Sequence, residues 1–206
     1  VASSPLAQQE RQTVCDLLVA VGPDAPTLCE GWDAADLAAH LVVRERRPDS
    51  GPGIVWPPLA GYTDKVRRSV KDRTPWDKLV ETVRRGPPLL LRPFDGAMNT
   101  IEYFIHAEDV RRAQPDWTPR PLSPELSNAL WARVGPGGLA KKVAATIVIS
   151  SPGREDKVAG SGPRLVLTGD PGELTLFGAG RQAASKVELS GDDALVAQLR
   201  SATLGV

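Results

Sequence analysis

The stretch "NTIEYFIHAEDVRRA", residues 99 to 113, places Glu102 and His106 four positions apart, and His106 is one of only two histidines in the chain. Four residues of α-helix turn about 400°, so the two side chains leave the helix about 40° apart, one turn above the other, with Cβ atoms roughly 5–6 Å from each other. Both can reach one ion. Asp109 continues that face one turn later, while Ile101, Phe104 and Ile105 point elsewhere and can hold the helix against its neighbours. A bundle helix is apolar where it is buried. A polar face therefore meets solvent or lines an interior polar site, where bare charge must be paired or metal-bound.

The second histidine, His40, sits in "GWDAADLAAHLVVRE", residues 31 to 45. Here Asp33 is a good N-cap with Asp36 three residues on, and Trp32 can staple against Leu37 across the helix start. His40 shares a face with Leu37, Leu41 and Arg44, and it supplies a third ligand to join Glu102 and His106. Two histidines and one carboxylate form a known catalytic zinc set, with a fourth position open to water or substrate. The bland alternative stays open on these residues alone, because a histidine among apolar neighbours is commonly a hydrogen-bonded core residue.

Outward from these two helices, "SSPLAQQERQTVCDLLVAVG" (3–22) predicts a helix capped at Ser4, with Pro5 in its first turn and Gly22 at its end. "TPWDKLVETVRRG" (74–86) repeats that grammar with Thr74 as cap and Pro75 in the first turn, and a short helix is expected near "YTDKVRRSVKD" (62–72). The Pro-Gly stretch at 48 to 61 is too broken for regular structure, and a loop of that length can shape a cleft. "PDWTPRPLSPE" (115–125) reads as a linker, with Ser123 and Pro124 starting a helix that runs to about Val134. Beyond residue 145 the runs "TIVIS", "RLVLTG", "ELTLFG" and "KVELSG" read as strands, followed by a helix capped at Asp192 and closed by Gly205. The fold class expected is α+β: a helical bundle over residues 1–120, then a small α/β domain over 121–206.

Lys plus Arg equals Asp plus Glu at 25 each, so no overall field attracts nucleic acid or an acidic membrane. No apolar run approaches the roughly eighteen residues of a membrane span, and the first residues lack the pattern of a secretion signal; a cytoplasmic protein is expected. The basic runs "RRSVKDR" and "VRRG" read as solvated helix faces. Cys15 and Cys29 have no metal-ligand spacing and read as free thiols, Cys29 becoming a candidate ligand or redox residue only beside a metal. "GPGGLAKK" fails as a phosphate loop, and no G-x-S-x-G nucleophile elbow is present.

"EGWDAADLAAHLVVRERRPDS" (30–50) followed by "NTIEYFIHAEDVRRA" resembles the N-terminal domain of mycothiol-dependent maleylpyruvate isomerases, within the DinB-like metal-binding four-helix bundles. The stretch from Gly162 to Leu199 resembles the small sterol-carrier-like domain that follows the bundle in those proteins. The resemblance implies metal ligands at His40, Glu102 and His106, a divalent ion with zinc first among candidates, and a low-molecular-weight thiol such as mycothiol as cosubstrate. It implies an isomerase or thiol transferase acting on a small molecule. The alternative is a non-catalytic metal- or small-ligand-binding protein of the same fold. By the same likeness, Arg181 in "FGAGR" is the arginine brought towards a carboxylate substrate, and Arg44 is a second anion contact. Asp109 is expected to orient a ligand or pair with Arg112 rather than touch the metal.

Overall fold

The computed structural model describes residues 4–47, 49, 60–88 and 97–205. The chain divides into two compact units, Val1–Pro119 and Arg120–Val206. The Pro-Gly stretch at 48 to 61 lies almost wholly outside the described residues.

Five helices make up the described part of the first unit: α1 (Pro5–Val21), α2 (Ala34–Arg46), α3 (Ala60–Arg73), α4 (Trp76–Arg85) and α5 (Ala97–Arg112). The start of α2 follows from the groups that satisfy its first amides, which have no partner within the helix. Asp33 accepts from the Asp36 N–H at 2.8 Å, Asp36 reaches back to the Asp33 N–H, and loop carbonyls of Ala25 and Pro23 take the N–H groups of Ala34 and Ala35. This is the capping box that the sequence predicts. At α4 the sequence reading is one residue off: Pro75 rather than Thr74 precedes the helix, and its carbonyl accepts from the Leu79 N–H. Pro75 is extended and steers Thr74 away from helical geometry, so Trp76 is the first helical residue.

Four of these helices share one core, with Val14, Cys15 and Leu18 from α1, Leu37, Ala38 and Leu41 from α2, Leu79, Val80 and Val83 from α4, and Tyr103, Ala107 and Val110 from α5. Helix α3, longer than expected, packs along α2 and adds Val70 at the core's edge. Arg67 of α3 is a correction to the reading of its basic run as solvated. It is buried, ion-paired with Asp36 and laid 4.5 Å from the centroid of the Trp32 ring, while Lys71 reaches Asp33 and Asp36 at 2.7 and 2.8 Å. Elsewhere, buried Arg11 joins three helices by donating to the Tyr103 hydroxyl and to Glu45, each at 3.1 Å.

The second unit holds α6 (Pro124–Arg133), the short α7 (Gly137–Ala140), β1 (Thr146–Ser150), β2 (Lys157–Gly160), β3 (Arg164–Thr168), α8 (Pro171–Gly178), β4 (Glu188–Ser190) and α9 (Asp193–Ser201). Its sheet has the order β2-β1-β3-β4, with β1 and β3 parallel and the outer strands antiparallel to them. Three residues carry the chain from β2 across the start of β1 to β3, a crossing that brings Gly160 (φ +90°) so close to the Ala145 carbonyl that a Cβ would collide with it. Ile147, Ile149, Leu165 and Leu167 form the sheet's share of the core, against Leu174 and Phe177 of α8 and Leu199 of α9.

The architecture is α+β, a helical part followed by a strand-bearing part, as the sequence implies. Three local readings are corrected. "ELTLFG" is helix α8, not a strand: Asp170 and Pro171 form a helix start, and a short apolar run does not by itself distinguish a strand from a buried helix. Strand β2, in a polar stretch, carries no strand signal that the sequence reading detected. The last helix ends at Ser201, short of Gly205. Among the described residues no helix is long and apolar enough to cross a membrane.

Gly86, at φ +72°, stands where a Cβ would come within 2.9 Å of the Arg11 guanidinium carbon. Gly86→Ala is expected to cost about 1–3 kcal/mol through backbone strain and displacement of Arg11, read from urea unfolding midpoints. Burial pushes the Cys15 thiol up to about 12, against the opposing pull of Arg84 and Arg11. In a Cys29→Ser protein, a thiol reagent at pH 8 should therefore leave Cys15 unmodified until urea unfolds the chain.

Candidate metal centre

Helices α2 and α5 bring their polar faces together inside the first unit. Glu102 Oε1 lies 3.4 Å from His40 Nε2 and 3.2 Å from His106 Nε2, and the three ligand atoms all fall within 4.8 Å of one another. Arg44, one turn beyond His40, approaches the same oxygen at 3.3 Å through Nε and donates from Nη1 to Asn99. The i, i+4 spacing on α2 thus runs alongside the 99, 102, 106 spacing on α5. The ring of His106 meets that of His40 edge-on with centroids 5.2 Å apart, and the Trp32 ring stands 5.2 Å from that of His40.

Asp109 is fully buried, and its Oδ2 accepts the Nδ1–H of His106 at 2.9 Å. That contact fixes which nitrogen carries the proton and turns Nε2 towards Glu102 and His40. This contact is compatible with the first of the two roles expected for Asp109, orienting a ligand. Arg112 pairs with Glu108 at 2.6 Å. The side chains of His106 and His40 are 8% and 14% exposed, and that of Glu102 is 28% exposed, so the cluster opens on Glu102's side.

A zinc ion sits about 2.0–2.1 Å from nitrogen and oxygen donors, which puts tetrahedral ligand-to-ligand edges at about 3.3–3.4 Å. Two of the three edges, at 3.4 and 3.2 Å, lie close to that spacing and equally within hydrogen-bond reach. With a metal bound, the set would be two neutral imidazoles and one carboxylate, with an open side left for a further ligand.

The charges respond to burial and to one another. Burial lowers the pKa of His40 below its ordinary value, only partly offset by Glu102. Burial also works against charging His106, but contacts with Asp109, Cys29 and Glu102 outweigh it and hold the pKa well above the ordinary value. Glu102 is pushed up by burial, yet His106, His40 and Arg44 together draw it far below the usual carboxylate range. A proton on His106 Nε2 and a metal ion at the same atoms exclude each other.

Arg181, the remaining residue singled out in the sequence, belongs to the second unit, where it donates to the Ala179 carbonyl. Three contacts escaped the sequence reading: Asn99 on Arg44, Trp32 beside His40, and Cys29 on Asp109 at 3.2 Å. Trp32 could have been found, since it directly precedes the Asp33 cap. Cys29 could not, because its approach depends on a hydrogen bond from the Leu28 N–H to the Asp109 carbonyl, far along the chain.

In chelator, the two histidines should give opposite pH limbs. The depressed pKa of His40 means the unfolded chain takes up the proton first, so stability falls as pH drops below about 6.5. The raised pKa of His106 gives stability that is full below about 6.5 and is lost as pH rises through its folded value. Thermal melts between pH 5 and 9 should show His40→Ala flattening the acid limb and His106→Ala the alkaline one.

No protein-family model matches the chain, and neither does any curated protein. Two solved structures do. The mycothiol-dependent maleylpyruvate isomerase matches at 15% identity and a TM-score of 0.57, and a histidine-to-alanine mutant of that enzyme at 14% and 0.54, each over 90% of this chain and 90% of the other. At such identity the likeness is one of fold, and the chain carries the fold of the mycothiol-dependent maleylpyruvate isomerase.

Proposed function

We propose that the chain binds one divalent metal ion through His40, Glu102 and His106 and uses it, with a low-molecular-weight thiol, in an isomerisation or thiol-transfer reaction on a small molecule. The observation that carries the reading is the pair of histidine Nε2 atoms set around one glutamate oxygen at 3.4 and 3.2 Å. The likeness of fold to a mycothiol-dependent isomerase supports a thiol such as mycothiol as the cosubstrate. In this reading residues 1–120 are the metal-binding bundle and 121–206 the small sterol-carrier-like domain.

A divalent ion at this position, zinc by the donor set, supplies one thing: a coordinated thiol loses its proton at neutral pH. The chain's own residues do the rest. Asp109 keeps the His106 ring in register, and Arg44 restrains Glu102. For a carboxylate substrate, Arg44 is the proposed anion contact beside the metal, and Arg181 is a proposed anion contact of the second unit on the strength of the family resemblance alone.

A metal-free network is the second reading, favoured by the fact that Glu102 and Asp109 flank His106 on both ring nitrogens, an arrangement that suits an imidazolium. Elemental analysis of wild type and His106→Ala, purified without chelating tags, separates the two. Close to one equivalent of metal in wild type and little in the variant is expected, followed by zinc-dependent binding of mycothiol in calorimetry. Metal without thiol binding selects a non-catalytic binding protein. No metal after incubation with zinc leaves the hydrogen-bonded network.

A further inference from the structure

Cys29 lies in the loop between α1 and α2, and the proposed reaction makes no use of it. The turn around it is tightly built: the Cys29 N–H donates to Thr27 Oγ1 at 3.2 Å, the Thr27 hydroxyl to the Trp32 carbonyl at 2.8 Å, and the Trp32 N–H to the Cys29 carbonyl at 3.0 Å. The Leu28 N–H then clamps the turn to α5 through the Asp109 carbonyl at 3.0 Å. This sets the Cys29 thiol 3.2 Å from Asp109 Oδ2, the same oxygen that accepts from His106 Nδ1 at 2.9 Å.

We infer that Cys29 is a positioning residue of the metal centre, its thiol holding the Asp109 carboxylate that in turn holds His106 with Nε2 turned towards Glu102 and His40. The inference rests on the proposed metal centre. Asp109 is fully buried, so water has little access to replace a donor taken from its carboxylate. Removing the thiol leaves the carboxylate one restraint short and loosens the His106 ring with it. The same turn runs straight into the Asp33 cap of α2, the helix that carries His40, so one loop braces both ligand helices.

The geometry speaks for a hydrogen-bonded thiol rather than a metal-ligating one. An ion shared by Cys29, Asp109 and His106 Nδ1, with Zn–S about 2.3 Å and Zn–N or Zn–O about 2.0–2.1 Å, puts the sulfur–oxygen edge at about 3.5–3.6 Å and the nitrogen–oxygen edge at about 3.3–3.4 Å. The observed 3.2 and 2.9 Å are shorter and match hydrogen bonds.

Zinc affinity, measured by competition with a chromophoric chelator, tests the role in wild type, Cys29→Ser and Cys29→Ala, with circular dichroism confirming that each folds. Cys29→Ala is expected to bind zinc about 10- to 100-fold more weakly, while Cys29→Ser, which keeps a donor, stays within about threefold of wild type. In protein with isotope-labelled histidine, the His106 Nδ1–H should exchange with solvent about tenfold faster in Cys29→Ala than in the other two, with or without zinc. Equal affinities and equal exchange rates overturn the inference. So does a thiolate-to-cobalt absorption band in the cobalt-loaded wild type that Cys29→Ser lacks, since that makes Cys29 a ligand. If Cys29→Ala does not fold, Cys29→Val replaces it in the same comparison. A wild type that takes up no zinc removes the metal centre itself, and the exchange comparison then decides separately whether Cys29 holds Asp109.

Discussion

Glu102 Oε1 and His106 Nε2 face each other at a distance that calls for a positive centre on or between them, while His40 Nε2 lies 3.4 Å from the same oxygen, where a neutral imidazole N–H can donate to it. Lone pairs on His106 Nε2 and on a carboxylate oxygen 3.2 Å away repel, and burial strengthens that repulsion by removing the water that would screen it. A proton on the imidazole relieves it, and so does a metal ion. The surrounding polar groups follow from that one requirement: Arg44 balances the carboxylate from one side, and Asp109 commits the far nitrogen of His106 from the other. The charge state of the cluster then depends on which positive centre, proton or metal ion, occupies it.

A cluster so expensive to bury survives only on a rigid frame. Helix α2 presents alanines at 34, 35, 38 and 39 and buries all of them, which lets its neighbours approach closely. Its start is held by the Asp33–Asp36 box and by the ion pairs of Asp36 with Arg67 and Lys71. Helix α5 is anchored by Tyr103, Ala107 and Val110 in the shared core. The second unit has a core of its own, in which the sheet packs against α8 and α9.

Much of this was legible. Capping residues declared the start of α2, and helical spacing alone put Glu102, His106 and Asp109 on one face. The alternation of β-branched runs announced a sheet after residue 145, and β1, β3 and β4 are where those runs stand. The errors share a cause. "ELTLFG" has an apolar content that suits either strand or buried helix, and the competition was decided by the Asp170–Pro171 start and by packing against the sheet. Arg67 reads as surface charge until Asp36 and Trp32 surround it, and neither partner lies near it in the chain.

Periodicity and capping are properties of neighbouring residues, so the sequence by itself determined which side chains share a helix face, where α1, α2, α6 and α9 begin, and that a helical part precedes a strand-bearing one. It could offer three candidate ligands but not the distances among them. The convergence of His40 on Glu102 across sixty-two positions, the seating of Cys29 on Asp109, and the buried or solvated state of each charge were decided by tertiary structure alone. The reason is that contacts between distant segments depend on how whole helices pack, and packing is settled by the sum of many weak contacts that no local pattern records.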